Sequence, residues 1–92
     1  MFKIITSSNY SVTVPANGAI NVTANNLGLV TPLGYSPISC RSYFANSNDL
    51  VWRSMDVSAQ GTQSFGVIRN VSNTSVTATI IITIVYVKLS LF

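Results

Sequence analysis

No histidine and no glutamate occur in this 92-residue chain, cysteine appears once as Cys40, and the acidic residues are Asp49 and Asp56 alone. Each absence removes a class of function. Without histidine there is no side chain that titrates near neutral pH unaided, and so no ordinary general base. Asp49 and Asp56 lie an odd number of residues apart, on opposite faces of an extended strand, so they do not make a carboxylate pair. A lone thiol forms no disulfide within the chain. Cys40 sits in an apolar alternation with Ile38 and Phe44, which reads as a buried structural thiol rather than a nucleophile. A metal site lacks ligands. Gly28 and Gly34 are followed by no Lys-Ser/Thr pair, so no phosphate-binding loop is present. A non-enzymatic protein with no cofactor is expected.

Charge is scarce as well. Charged residues make up 8% of the chain, against about 25% in an average soluble domain. The five basic residues, Lys3, Arg41, Arg53, Arg69 and Lys88, are scattered without a run, so the net charge of +3 does not describe a nucleic-acid-binding surface. The longest apolar stretch, Ile80 to Val87, is interrupted by Thr83. It is far short of the roughly 20 residues that a membrane helix needs. The run Met1 to Thr6 is too short for the core of a secretory signal. Asn-x-Ser/Thr triplets stand at Asn9, Asn21, Asn70 and Asn73. They arise readily by chance in a chain this rich in Asn, Ser and Thr.

What is present is β-forming. Apolar residues make up 48%, β-branched residues dominate, and turn signals recur at short intervals. Strands are expected at 2–7, 10–14, 19–23, 38–45, 50–57, 64–71 and 75–88. The segments 10–14 and 19–23 alternate with period two and flank Pro15-Ala16-Asn17-Gly18, the signature of a hairpin. Residues 25–37 read as irregular, with a short strand at Leu29-Val30. Along 50–57, Leu50 and Trp52 are expected on one face and Val51, Arg53 and Met55 on the other. Along 64–71, Phe65 and Val67 alternate with Gly66 and Ile68. Asp56 is expected to be solvated or to form a local salt bridge with Arg53 or Arg41. No repeat or linker divides the chain, so residues 1–92 form one domain.

The final strand decides the functional expectation. One face, Val76, Ala78, Ile80, Ile82, Ile84 and Tyr86, is apolar throughout. The other, Thr77, Thr79, Ile81, Thr83, Val85 and Val87, becomes so along its length. A strand apolar on both faces is covered on both faces. A chain this short buries only about 60–65% of its unfolded surface, so partner subunits are the expected supplement. Ile81, Val85, Val87, Leu89, Leu91 and Phe92 are the candidate oligomer interface. Tyr35, Arg41, Tyr43, Asn48 and Arg53 are the candidate ligand or partner surface; Arg41, Tyr43, Asn48 and Arg53 form one patch if strands 38–45 and 50–57 pair. Trp52 shares a face with Leu50 and reads as core.

The segment "YSVTVPANGAINVTANN" resembles the opening hairpin in the C-terminal domains of bacteriophage tail fibres and receptor-binding proteins. "GYSPISCRSYFAN" is similar to their following strand, and "FGVIRNVSNTSVTATIIITIVYV" to their closing hairpin. The resemblance spans roughly Tyr10 to Lys88 and consists of turns and alternation rather than signature residues. It implies an antiparallel β-sandwich of about six to seven strands, jelly-roll or H-type-lectin-like in shape. It further implies a homo-oligomer, with a trimer favoured, that binds cell-surface carbohydrate or other virion proteins. The expected location is the virion, assembled in the host cytoplasm. Starting at Met1 with no fibre shaft, and without the His clusters by which some fibre tips hold metal, the chain equally suits a capsid decoration or head-fibre protein of purely structural role.

Overall fold

A computed structural model of the protein describes residues 1–89. It is an all-β, antiparallel, two-sheet sandwich of seven strands: β1 (Phe2–Thr6), β2 (Tyr10–Val14), β3 (Ala19–Thr23), β4 (Tyr35–Ala45), β5 (Leu50–Met55), β6 (Ser64–Asn70) and β7 (Val76–Lys88). A single helical turn, α1 (Ala24–Leu27), follows β3. Thr23 caps it: its Oγ1 accepts the Asn26 N–H at 3.1 Å, and Asn26 Oδ1 accepts the Thr23 N–H at 2.9 Å. Residues 29 and 30 form no strand. Leu29 is instead buried behind the helical turn, and Val30 is exposed.

The long sheet is organised on β7. Residues 79–88 pair with β4 along one edge, while the other edge pairs with β2 at Val76–Ile80 and then with β1 at Thr83–Val87. β1 and β2 therefore lie end to end in one lane. The short sheet has the order β3-β6-β5. Thirteen residues of β7 at about 3.3 Å each run roughly 43 Å. This strand sets the long dimension of a body measuring 53 × 22 × 18 Å.

The expected hairpin of 10–14 with 19–23 does not form. β2 joins the long sheet and β3 the short one, so Pro15–Gly18 is an arch between sheets. Asn17 does take the left-handed conformation the Asn-Gly pair favours, at φ 56°. Residues 46–49 and 71–75 are arches too, because β4 and β5, like β6 and β7, belong to opposite sheets. β5 and β6 alone among sequence neighbours pair as a hairpin.

The core lies between the sheets. Ala78, Ile80, Ile82, Ile84 and Tyr86 supply it from β7, Val12 and Val14 from β2, and Val22, Phe65 and Ile68 from the short sheet. Full burial of each large aliphatic side chain contributes about 1.5–3 kcal/mol. Two irregularities adjust the short sheet's inner face. A register shift between Trp52 and Ser54 displaces Arg53 and returns Met55 to the core side, where Cys40 Sγ lies 3.8 Å from Met55 Sδ. A second shift between Val22 and Thr23 leaves Phe65 without a partner on β3, so that Phe65, Gly66 and Ile68 are all buried. The period-two expectations for Met55 and for Phe65–Ile68 fail at these bulges, because one extra residue inverts the parity of every position beyond it. Trp52 packs half-buried against the core, on the Leu50 face its alternation implied. Its ring sits 5.5 Å from that of Phe44 and 5.7 Å from that of Phe65, and its Nε1–H donates to Ser42 Oγ at 2.7 Å.

Candidate functional site

The outer face of the long sheet divides into two halves. Toward the β2 end it is polar. Thr13 and Thr77 hydroxyls lie 2.8 Å apart, Ser11 and Thr79 3.2 Å, and Thr6 and Thr83 3.5 Å. These cross-strand pairs satisfy one another and are exposed. Toward the β1 end the same face becomes apolar. Register places Phe2 beside Val87 and Ile4 beside Val85; Tyr43 beside Ile81 is a separate apolar pair on the far side of the row Thr6–Thr83–Arg41. Phe2 is 63% exposed, Ile4 70% and Tyr43 58%, while Ile81, Val85 and Val87 are half-buried by their lateral neighbours alone. Arg41, opposite Thr83, is the one charged residue that register sets on this face. Lys3 pairs with Tyr86 and so belongs to the inner side, where its Nζ lies 4.9 Å from the centre of the Tyr35 ring.

Of the candidate interface residues, Ile81, Val85 and Val87 thus share one face, and Phe2 and Ile4 enlarge it. Sequence reading missed both, because β1 was legible as a strand but its neighbour was not. Leu89 is exposed and ties its N–H to the Gly34 carbonyl at 2.8 Å. Leu91 and Phe92 lie outside the described residues.

The candidate ligand residues do not converge. Arg41 and Tyr43 stand on the outer face of the long sheet. Tyr35 lies at the opposite end of β4 from the 46–49 arch, against Lys3. Arg53 is in the bulge of the short sheet, and Asn48 is in the arch between the sheets. Arg41 and Arg53 would have been neighbours had β4 and β5 paired, which they do not.

Asn48 instead lines a cleft that sequence reading did not anticipate. β4 makes its last pair at Ala45–Thr79, whereas β7 starts at Val76. At Asn46, with φ 72°, the chain swings away toward the short sheet. The lane that β4 would have continued is left open beside Val76 and Thr77. The result is a cleft of about 670 Å³ walled by Phe44, Asn46, Ser47, Asn48, Asp49, Val76 and Thr77. The polar string Asn46-Ser47-Asn48-Asp49 was visible as a turn. That β7 outruns β4 became visible only in the register.

The remaining titratable groups are structural. Asp56 is held below the usual carboxylate range by the Ser58 hydroxyl and then by the Ser58 N–H, both bonding to Oδ1 at 2.6 and 2.9 Å. Among the described residues, no ion pair joins it to Arg53 or Arg41. Partial burial pushes the Cys40 thiol up from its ordinary value, which leaves less of the reactive thiolate at neutral pH. The Asn70 triplet is no acceptor for a glycan, since Asn70 is fully buried. Its Nδ2 donates to the carbonyls of Val14, Pro15 and Thr74, and its Oδ1 accepts the Ser72 N–H.

Comparison with protein-family models, with curated proteins and with solved structures finds no match for this chain.

Proposed function

We propose that this protein is a non-enzymatic structural component of a bacteriophage particle, of the tail-fibre or receptor-binding kind, which assembles through the outer face of its long sheet. The observation that carries the reading is the apolar half of that face. Phe2, Ile4, Val85 and Val87 form a contiguous apolar surface across β1 and β7, and Tyr43 and Ile81 form a second apolar pair beyond the row Thr6–Thr83–Arg41. Contiguous exposed apolar surface with a polar border is the usual mark of an interaction site. Here the border is the Thr/Ser ladder and Arg41. With a single charged residue on the face, two copies meet with little charge to desolvate.

The particle assignment draws on the resemblance of strand order, turns and alternation to tail-fibre C-terminal domains. That support is local, since the two segments resembling hairpins in sequence are arches between sheets. A trimer is the assembly the resemblance favours.

Light scattering on the purified protein tests the assembly. The expected mass is three times the 9.9 kDa chain, with Val85→Asp reducing it to a single chain. A well-behaved monomer at micromolar concentration overturns the reading. Immunogold labelling of purified particles tests the location. Gold at the tail tip supports a receptor-binding role, gold on the head replaces it with capsid decoration, and unlabelled particles remove the virion assignment.

A further inference from the structure

The end of the body where β1 starts and β7 finishes is tied together by three main-chain hydrogen bonds. The Lys88 N–H donates to the Met1 carbonyl at 3.1 Å, the Leu89 N–H to the Gly34 carbonyl at 2.8 Å, and the Tyr35 N–H to the Pro32 carbonyl at 3.1 Å. The last bond closes a β-turn over Leu33 and Gly34. Gly34 takes φ 81°, the left-handed value that a type II turn needs at its second central position. Leu33 therefore stands at the apex of a closed turn, and it is 100% exposed. Met1 and Leu89, in the segments tied to this turn, are 81% and 59% exposed.

The same end carries Lys3 and Lys88, both exposed. Lys88 is the register partner of Tyr35, and Lys3 Nζ lies 4.9 Å from the centre of the Tyr35 ring. No acid belongs to these segments: Asp49 is in the 46–49 arch at the opposite end of β4, and Asp56 follows β5. A single exposed leucine is ordinary on a protein surface. Three large apolar side chains with two lysines and no acid, gathered at one end, form a patch that asks for an occupant. Folding does not account for Leu33, since a side chain without neighbours adds nothing to the core. Asn or Ser, plentiful in this chain, serves a turn at least as well.

We infer that this end docks on the surface of an anionic lipid bilayer. Leu33 enters the boundary between headgroups and acyl chains, and Lys3 and Lys88 lie among the anionic headgroups. Apolar side chains at the apex gain by leaving water, and each lysine near an anionic surface strengthens binding about fivefold. Tyr35 adds a ring that is apolar in its body and polar at its hydroxyl, which suits a membrane–water boundary. A protein pocket is a poorer occupant. The end of a body 22 × 18 Å across presents roughly 400 Å², half of the ~800 Å² per partner that a specific protein interface buries. A fluid bilayer closes around a convex tip of any outline. The docking does not rest on the assembly reading, which uses the outer face of the long sheet.

The contact is peripheral and weak. Half-binding is expected at about 1 mM accessible lipid, against the roughly 0.1 mM of a single myristoyl chain. Repetition of the tip in an oligomer would multiply it.

The test is co-sedimentation of the purified protein with vesicles of phosphatidylglycerol and phosphatidylcholine in equal parts, and with vesicles of phosphatidylcholine alone. Binding to the mixed vesicles is expected, at least about tenfold weaker on phosphatidylcholine alone and in 1 M salt, where the screening length falls to about 3 Å. Leu33→Ser should weaken it about tenfold, and Lys3→Gln and Lys88→Gln about fivefold each. Because Leu33 is fully exposed, Leu33→Ser should leave the urea midpoint unchanged, which separates lost docking from lost fold. Leu33→Trp should bind at least as well as the parent, and its added emission should be quenched by lipids carrying bromine on their acyl chains, with the half-buried Trp52 of the parent as the baseline. No binding up to about 10 mM lipid, ten times the expected midpoint, overturns the inference. So do equal binding to neutral vesicles, binding that Leu33→Ser leaves unchanged, and Leu33→Trp emission indifferent to the brominated lipid. Light scattering on the same proteins without lipid reports assembly separately, so either reading can fail without the other.

Discussion

Ser7 and Ile82 hold the long sheet together at the point where its outer lane is broken. The Ser7 N–H donates to the Ile82 carbonyl at 2.8 Å, and the Ile82 N–H donates in return to Ser7 Oγ at 2.9 Å. The hydroxyl thus takes the place of the strand carbonyl that the gap between β1 and β2 removes. Ile82 is fully buried and Ser7 nearly so, so water is poorly placed to substitute. Ser7→Ala should cost about 1–3 kcal/mol, the penalty of an unsatisfied buried donor. Urea unfolding followed by circular dichroism would measure it, and an unchanged midpoint would show that the N–H finds another acceptor.

Asn70 should be the costliest polar position. Its side chain serves three carbonyls and one N–H, and ties the ends of β2 and β6 to the 72–74 turn. Asn70→Leu leaves these groups without their partner, and a loss of at least about 3 kcal/mol is expected from the same urea titration. Asn70→Asp should be nearly as damaging, because a carboxylate donates nothing to the carbonyls.

Gly66 is required by the Trp52 ring. A Cβ at this position would meet Trp52 Cζ3 at 2.7 Å and Cε3 at 2.8 Å, and would press on the Ser54 carbonyl. Gly66→Ala should therefore destabilise by about 1–3 kcal/mol through overpacking and shift the tryptophan emission. Combining it with Trp52→Leu should cost less than the sum of the two changes, since the contact with the ring is relieved and only that with the Ser54 carbonyl remains.

Cys40 should react slowly. Its thiol is half-buried and pushed up by desolvation. At pH 7.5 a disulfide reagent should modify the native protein much more slowly than the urea-unfolded chain, and the rate should keep rising as pH increases above the ordinary thiol value of about 8.5. Equal rates in the two states would contradict the placement.

Asp56 sets a small acid-side dependence. Its folded carboxyl is held below the unfolded value by Ser58. The contribution is thus complete above the unfolded value of about 3.9 and is lost as pH falls through the folded one. Ser58→Ala removes the hydroxyl bond and should move the Asp56 titration, read by carboxyl NMR shifts, back toward the unfolded value. A titration that stays in place would assign the shift to another cause.

Much of this was legible in the sequence, and the part that was not has a common cause. Strands show themselves by alternation, and all seven were placed within a few residues. The partner of a strand does not show itself in that way. Val14 and Val22 point inward whether their strands lie side by side in one sheet or face each other across the core, and Asn17-Gly18 serves a hairpin and an arch alike. The bulges at Arg53 and Phe65 carry no composition signal, yet each reverses the face of the residues beyond it. The helical turn at 24–27 escaped notice because its capping box closes with Asn26, where Glu or Gln is the usual residue. The double-sided character of β7 was plain in residues 76–87. The cleft was not, because it depends on two strands ending at different levels.

β7 is synthesised after β1, β2 and β4 and, among the described residues, is the sole partner of each in their sheet. Until it is made, three nascent strands carry unsatisfied edges, and only the β3-β6-β5 sheet can assemble. Maturation of the fold therefore waits on translation of the 13 residues of β7, and pairing across so much intervening sequence is slow. A chain terminated before Val76 should not be a smaller version of this protein. It should be a sticky fragment dependent on chaperones, and its fate in the cell should be degradation.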